Sequence, residues 1–337
     1  MPPLALPRKL ASLVEHSAAP ESVRPAMATL AEMRPQTLEI LEADSPLARS
    51  VVGVMEASRS LSRLLVADSA AIEVIARPGN RVAPDCSGPE TLARWKRLEL
   101  LRIASRDLSG TDSLEETGTA LATLGDDVLA GACTLGEAED RLAVIGMGKL
   151  GGQELNYASD IDVLFVGSGD QEERARRIMA TARMSFRVDA NLRPEGRSGS
   201  LVRSLDSYRT YWARWAMAWE RQALLKARPV AGAAQLGEEF AGAASEQVWG
   251  RPFGAEELHQ VRGMKVRAEG EVARRGLTMA ELKRGYGGIR DVEFSVQLLQ
   301  LVHGRLDPAL RPRSTLSALA ELGSAGYVDP SDAKDLE

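Results

Sequence analysis

The sequence predicts an α+β chain, predominantly helical, with a small mixed sheet set between two helical regions. Three observations predict it. Ala, Leu, Arg and Glu are abundant while aromatics make up 4% of 337 residues, a helix-forming composition. Long stretches before residue 141 and after residue 200 repeat apolar residues at helical spacing. Between them stand two short apolar runs, Leu142–Gly146 and Ile161–Val166, and one alternating run, Phe186–Arg193.

Residues 8–77 read as helices with weak breaks at Pro20, Pro25, Pro35 and Pro46. Val51–Ala76 reads as one amphipathic stretch stopped by Arg77-Pro-Gly-Asn. Two further helices are expected over Glu90–Asp107 and Ser113–Ala132. Strands over Leu142–Gly146 and Ile161–Val166 follow, then a basic helix over Glu172–Met184. The alternation of Phe186–Arg193 predicts a third strand, closed by Pro194-Glu-Gly-Arg-Ser-Gly. One long helix is expected over Asp206–Ala227, and helices from Leu236 to the end, interrupted at Arg284-Gly-Tyr-Gly-Gly-Ile. This organisation divides the chain into a helical region 1–88, a catalytic region 89–232 and a helical bundle 233–337. Pro330-Ser-Asp-Ala-Lys-Asp-Leu-Glu337 reads as a cap and first turn, so the bundle is expected to be cut short.

Composition excludes several classes. A hydrophobic content of 44% and a charged content of 26% are ordinary for a soluble globular protein. The net charge of −5 gives no general nucleic-acid footprint. Two cysteines, Cys86 and Cys133, argue against a disulfide framework and for a reducing cytoplasm. No apolar run reaches the ~20 residues of a membrane span, and the N-terminus lacks the order of a signal peptide.

The most informative segment runs from Val144 to Val166. It joins a glycine-rich turn to Asp160-Ile-Asp162 at the start of an apolar strand. Strand residues alternate faces, so Asp160 and Asp162 project from the same side. Two carboxylates side by side repel each other unless a cation stands between them, and hard oxygen ligands suit Mg²⁺. Asp189 on the third expected strand completes a candidate triad, although a cap or a neighbouring arginine would also occupy it. Such a triad after a turn rich in backbone N–H groups fits metal-dependent phosphoryl or nucleotidyl transfer. Gly148, Lys149 and Ser159 are the candidate phosphate contacts beside it.

Gly146-Met-Gly148-Lys-Leu-Gly151 also spells a dinucleotide-binding pattern, which would make the chain an oxidoreductase. That pattern must open a long crossover helix, and only Gln153–Ala158 separates it from the Asp pair. Between Arg183 and Arg228 stand ten Lys/Arg against four Asp/Glu. Arg193, Arg197, Lys226 and Arg228 flank turns or element ends, where they could close on phosphate oxygens. Trp212, Trp215 and Trp219 at helical spacing read first as core packing and second as a base-stacking platform. Helical spacing after Gly287-Gly288 places Arg290, Glu293 and Gln297 on one face.

Together these segments resemble the glutamine synthetase adenylyltransferase family, two-headed enzymes that add and remove AMP on a tyrosine of glutamine synthetase. The resemblance rests on Gly146–Asp162, Val188-Asp-Ala-Asn-Leu-Arg-Pro-Glu-Gly-Arg-Ser-Gly-Ser-Leu-Val, Leu225-Lys-Ala-Arg and Gly287-Gly-Ile-Arg-Asp-Val-Glu-Phe. It implies a nucleotidyltransferase core of the DNA polymerase beta-like kind. It implies Mg²⁺ on Asp160, Asp162 and Asp189, and ATP, ADP and phosphate as substrates or products. Glutamine synthetase is the implied protein partner, and a PII-type nitrogen regulator is a second candidate. Family members carry two tandem halves and this chain has one. Asn156 and Gly287-Gly-Ile-Arg look like the N-terminal, adenylyl-removing half, which implies deadenylylation by phosphorolysis; adenylyl transfer from ATP is the alternative direction. Asn191 departs from the arginine expected before Leu-Arg-Pro. A regulatory docking module is the remaining reading, against which three facing carboxylates argue.

Overall fold

A computed structural model describes residues 6–276 and 281–336. Contacts divide the chain into two compact units, Met1–Leu124 and Gly125–Glu337. The first unit is helical throughout. It contains α1 (Arg8–Glu15), α2 (Pro20–Met33), α3 (Pro35–Ala43), α4 (Ser45–Ala57), α5 (Arg59–Ala67), α6 (Ala71–Ala76), α7 (Pro89–Leu108) and the start of α8 (Leu114–Leu135). Pro20, Pro35, Pro46 and Pro89 sit in first turns, where a missing N–H leaves no bond unmade. Pro25 falls inside α2 without ending it.

The expected continuous stretch Val51–Ala76 is divided. Ser58 caps α5 by accepting a bond from Leu61 N–H, and Asp68 accepts one from Ala70 N–H. These short polar side chains let the chain re-aim so that Leu65 and Ile75 join Leu30, Val51 and Leu101 in one core. Helix α7, read from sequence as the start of the catalytic region, packs on α4 and α6.

The second unit is built on a five-stranded mixed sheet. Its elements are β1 (Leu142–Met147), α9 (Gly148–Gly151), β2 (Ile161–Gly167), α10 (Glu172–Arg183), β3 (Val188–Asp189), β4 (Val202–Arg203), α11 (Leu205–Arg214), α12 (Ala218–Ala223) and β5 (Arg228–Gly232). Helices α13 (Ala234–Trp249), α14 (Ala255–Arg274), α15 (Ile289–His303), α16 (Thr315–Ser324) and α17 (Pro330–Leu336) complete it. The sheet order is β3-β2-β1-β5, and β4 also pairs with β2. β1 is antiparallel to β2 and β5, while β3 and β4 run parallel to successive halves of β2. β1 is buried along its whole length and β2 everywhere but Asp162, as expected for strands covered on both faces.

Two further expectations are corrected, and the strands β4 and β5 are added. The strand expected over Phe186–Arg193 pairs only at Val188–Asp189, because the Asp189 carboxylate accepts the Asn191 N–H at 2.7 Å and turns the chain away. The long helix over Asp206–Ala227 is broken at Trp215–Met217, where Glu220 accepts the Met217 N–H at 2.8 Å and restarts it as α12. β5 was missed; Pro229 obscures it, and proline is tolerated there because β5 is an edge strand.

Alternation along the strands fixes the site. Ala143, Ile145 and Met147 of β1 and Leu164 and Val166 of β2 share a core with Tyr208, Trp212 and Phe240. Tyr208, Trp212 and Phe240 meet with ring centroids 5.1–5.5 Å apart, so Trp212 is a core residue. Asp160 and Asp162 have the parity of Leu164 and continue that face beyond the end of the apolar core. No helix among the described residues is long and apolar enough to cross a membrane.

Candidate active site

Asp162 stands opposite Met147 of β1 on one side and opposite Asp189 of β3 on the other. Burial pushes its carboxyl up to about 6, and the charges of Asp189 and Asp160 push the same way while Lys283 opposes them. Asp160 is more exposed and is paired with Arg187. Gly148 has φ +52°, and a Cβ there would lie 2.7 Å from Asp162 Oδ2. Only glycine lets the turn lie against the carboxylate.

Asp160 and Asp162 open into a cleft of about 880 Å³, whose other lining includes Gly148, Lys149, Ser159, Arg187, Lys226, Lys283, Arg290 and Glu293. Lys149 Nζ lies 3.8 Å from Glu293, a loose pair. Ser159 Oγ donates to Asn156 Oδ1 at 2.8 Å and orders the turn before β2. Asp189, Arg193 and Arg197 instead line a second cavity of about 790 Å³ with Arg176 and Arg183. Apart from Arg228, the expected site residues are thus distributed between two cavities, with Asp162 of the first opposite Asp189 of the second.

Three of the basic residues expected to bind phosphate already hold protein partners. Lys226 is buried, and its ammonium is held by Glu154 and by Thr315 Oγ1 at 3.1 Å. Arg228 lines neither cavity. It makes two bonds to Asp126, at 2.8 and 3.0 Å, and reaches the Leu150 and Gly151 carbonyls. Arg193 donates to the carbonyls of Ala190, Gly199 and Arg197, tying down the loop between β3 and β4. Sequence reasoning missed Arg187 and Lys283. Arg187, two residues before Asp189, was visible in the alternation, whereas nothing local placed Lys283 near Asp162.

Among the described residues no three His, Cys, Asp or Glu side chains form a ready-made metal cage. The donor set nevertheless fits Mg²⁺, which is commonly held by one or two carboxylates plus substrate phosphates. Asp162 and Asp189 are neighbours across two strands, and the Asp162 carboxyl, raised first by burial and then by the charges of Asp189 and Asp160, would be relieved by a cation.

The glycine pattern is a packing device. A Cβ at Gly151 would lie 1.8 Å from the Lys226 carbonyl oxygen, and one at Gly146 would lie 2.8 Å from Val230. α9 has four residues, and β1 and β2 are antiparallel. A parallel crossover for a dinucleotide is therefore absent here, which removes the oxidoreductase reading.

The model of the glutamate-ammonia ligase adenylyltransferase family matches residues 66–187 and 177–243, just over half of the chain. The chain belongs to this family. A bifunctional glutamine synthetase adenylyltransferase/adenylyl-removing enzyme of Streptomyces avermitilis is 40% identical over 90% of this chain and 34% of its own length. A protein of the same name from Mycobacterium tuberculosis is 44% identical over 70% of this chain and 26% of its own. The chain thus spans about a quarter to a third of the length of these adenylyltransferase relatives. Residues 262–337 match a second family model, that of PII-uridylyltransferase. The second match begins in α14 and includes α15, which lines the cleft.

Proposed function

We propose that this chain carries a Mg²⁺-dependent nucleotidyl-transfer site acting on glutamine synthetase, in the adenylyl-removing direction. The observation that carries the reading is Asp162, which lines a cleft with Asp160, Lys149, Lys283 and Arg290 and stands opposite Asp189 across β2 and β3. Asp160, Asp162 and Asp189 would hold the metal, which when bound supplies charge neutralisation at the α-phosphoryl group. The chain's own part is positioning. Lys149 and Arg290 bind the incoming phosphate, Gly148 brings the turn against Asp162, and the buried Lys226–Glu154 pair keeps the cleft floor rigid. An oxygen of hydrogenphosphate forms a bond to the α-phosphorus as the bond to the tyrosine oxygen breaks. The phosphate proton passes to the tyrosinate, leaving ADP and free tyrosine.

Adenylyl transfer from ATP, releasing pyrophosphate, would use the same geometry, and the relatives' names carry both activities. Asn156 and Gly287-Gly-Ile-Arg favour removal. On this reading 89–232 is the catalytic region and 233–337 a helical region that supplies a cleft wall, with a helical region 1–88 earlier in the chain. The match over 262–337 makes a PII-type regulator a candidate partner, and a cytoplasmic setting suits the two cysteines. Intact-mass analysis of glutamine synthetase after incubation with the chain and Mg²⁺ tests the reading. Loss of AMP from the adenylylated enzyme in phosphate, with ADP released, is expected. Gain of AMP on the unmodified enzyme in ATP would reverse the direction, and no change in either would overturn the reading.

A further inference from the structure

The cleft lining holds two chemically different sets of side chains. Lys149, Asp160, Asp162 and Lys283 are charged. In the other set, α12 presents Trp219, Gln222 and Ala223 at helical spacing, and α15 presents Arg290, Phe294 and Gln297. Met264 of α14 completes this set. It joins flat and polarisable side chains to two amides.

The amides are incompletely used. Gln222 Nε2 donates to Gln297 Oε1 at 2.7 Å. Gln222 is only 5% exposed, yet its Oε1 is buried with no hydrogen-bond partner. An unmet acceptor in a buried side chain costs about 1–3 kcal/mol, so a side chain held in this way on a cleft wall points to a group that arrives with the ligand. The Gln297 amide beside it offers N–H donors. A paired acceptor and donor is the pattern complementary to an adenine edge, whose exocyclic amine donates while the adjacent ring nitrogen accepts.

We infer that Gln222 and Gln297 form a base-reading subsite for adenine, with Trp219 and Phe294 as its apolar walls. The inference rests on the nucleotide reading above and deepens it. Gln222 Oε1 accepts from the exocyclic amine and Gln297 Nε2 donates to the neighbouring ring nitrogen. The Arg290 guanidinium lies 5.4 Å from the Phe294 ring centroid, covering that side chain and leaving Trp219 as the stacking face for the base. Lys149, Lys283 and the Arg290 donors then receive the phosphates.

The test is equilibrium binding of ADP, IDP and tripolyphosphate to the full chain with Mg²⁺, followed by calorimetry. IDP replaces the amine with a carbonyl, and tripolyphosphate has no base. Wild type is expected to prefer ADP over IDP by about 10- to 100-fold, the discrimination of one bidentate base contact. Gln222→Leu, close in volume, should remove that preference while leaving tripolyphosphate affinity within about twofold. Gln297→Leu should do the same and guards against a folding defect in the first variant, which its thermal midpoint also reports. Retained preference in both variants would overturn the subsite and leave the nucleotide reading intact. Failure of wild type to bind ADP or tripolyphosphate would overturn both. A preference for IDP would overturn the adenine assignment alone.

Discussion

The floor and the rim of the cleft use the same residue types for opposite purposes. Lys226 on the floor, and Arg228 outside the cleft lining, are matched to Glu154 and Asp126, with remaining donors given to Thr315 and to main-chain carbonyls. On the rim, Asp160, Asp162, Lys149 and Lys283 are more exposed or held by loose partners, and Asp162 carries an unfavourable charge. A buried charge must be matched because desolvation is otherwise too costly. A rim charge can stay partly unmatched because water, metal or substrate completes it. The difference teaches that basic residues near a site should be sorted by what they already hold before any is given to a ligand.

The largest expected effects break the comparison from each side. Asp162→Asn should lower turnover by about 10³-fold or more and yet raise the thermal midpoint, since it removes a charge that burial and two neighbours disfavour. A fall in both activity and midpoint would place Asp162 on the floor. Lys226→Met should cost about 3 kcal/mol in urea unfolding, because the half-buried Glu154 is left without its cation. The double variant with Glu154→Gln should recover most of that loss. A cost under 1 kcal/mol for the single variant would move Lys226 to the rim.

A smaller effect follows from pH. The folded value for Asp162, about 6, lies above its ordinary 3.8, so the folded state holds the proton more tightly. Without metal, stability should therefore fall as pH rises from about 4 to about 6, by on the order of 1–2 kcal/mol from this group. Asp162→Asn should flatten that part of the pH–stability curve, and an unchanged curve would show that the charge is relieved in another way. The smallest effect is expected at Arg197, exposed in the second cavity. Arg197→Ala should leave the thermal midpoint unchanged and alter only the phosphate KM.

Much of this architecture was legible locally. The glycine turn, the Asp-x-Asp strand start and the helical faces of α7, α8 and α15 follow from spacing that neighbouring residues enforce. The short elements were less legible. β3 ends where Asp189 folds back on Asn191, and α11 gives way to α12 where Glu220 captures Met217 N–H. In both places a side-chain bond overrides a longer periodic pattern.

The sequence by itself determined the chemistry on offer: which carboxylates share a strand face, and where the chain must turn tightly beside them. Only the tertiary structure decided which charges remain available. Glu154 and Thr315 are 161 residues apart in the chain, Lys226 and Thr315 89, and Arg228 and Asp126 102. Whether a lysine meets a carboxylate or a substrate depends on such distant partners, because desolvation and pairing are set by what folding brings within a few ångströms. Local spacing carries no record of those encounters.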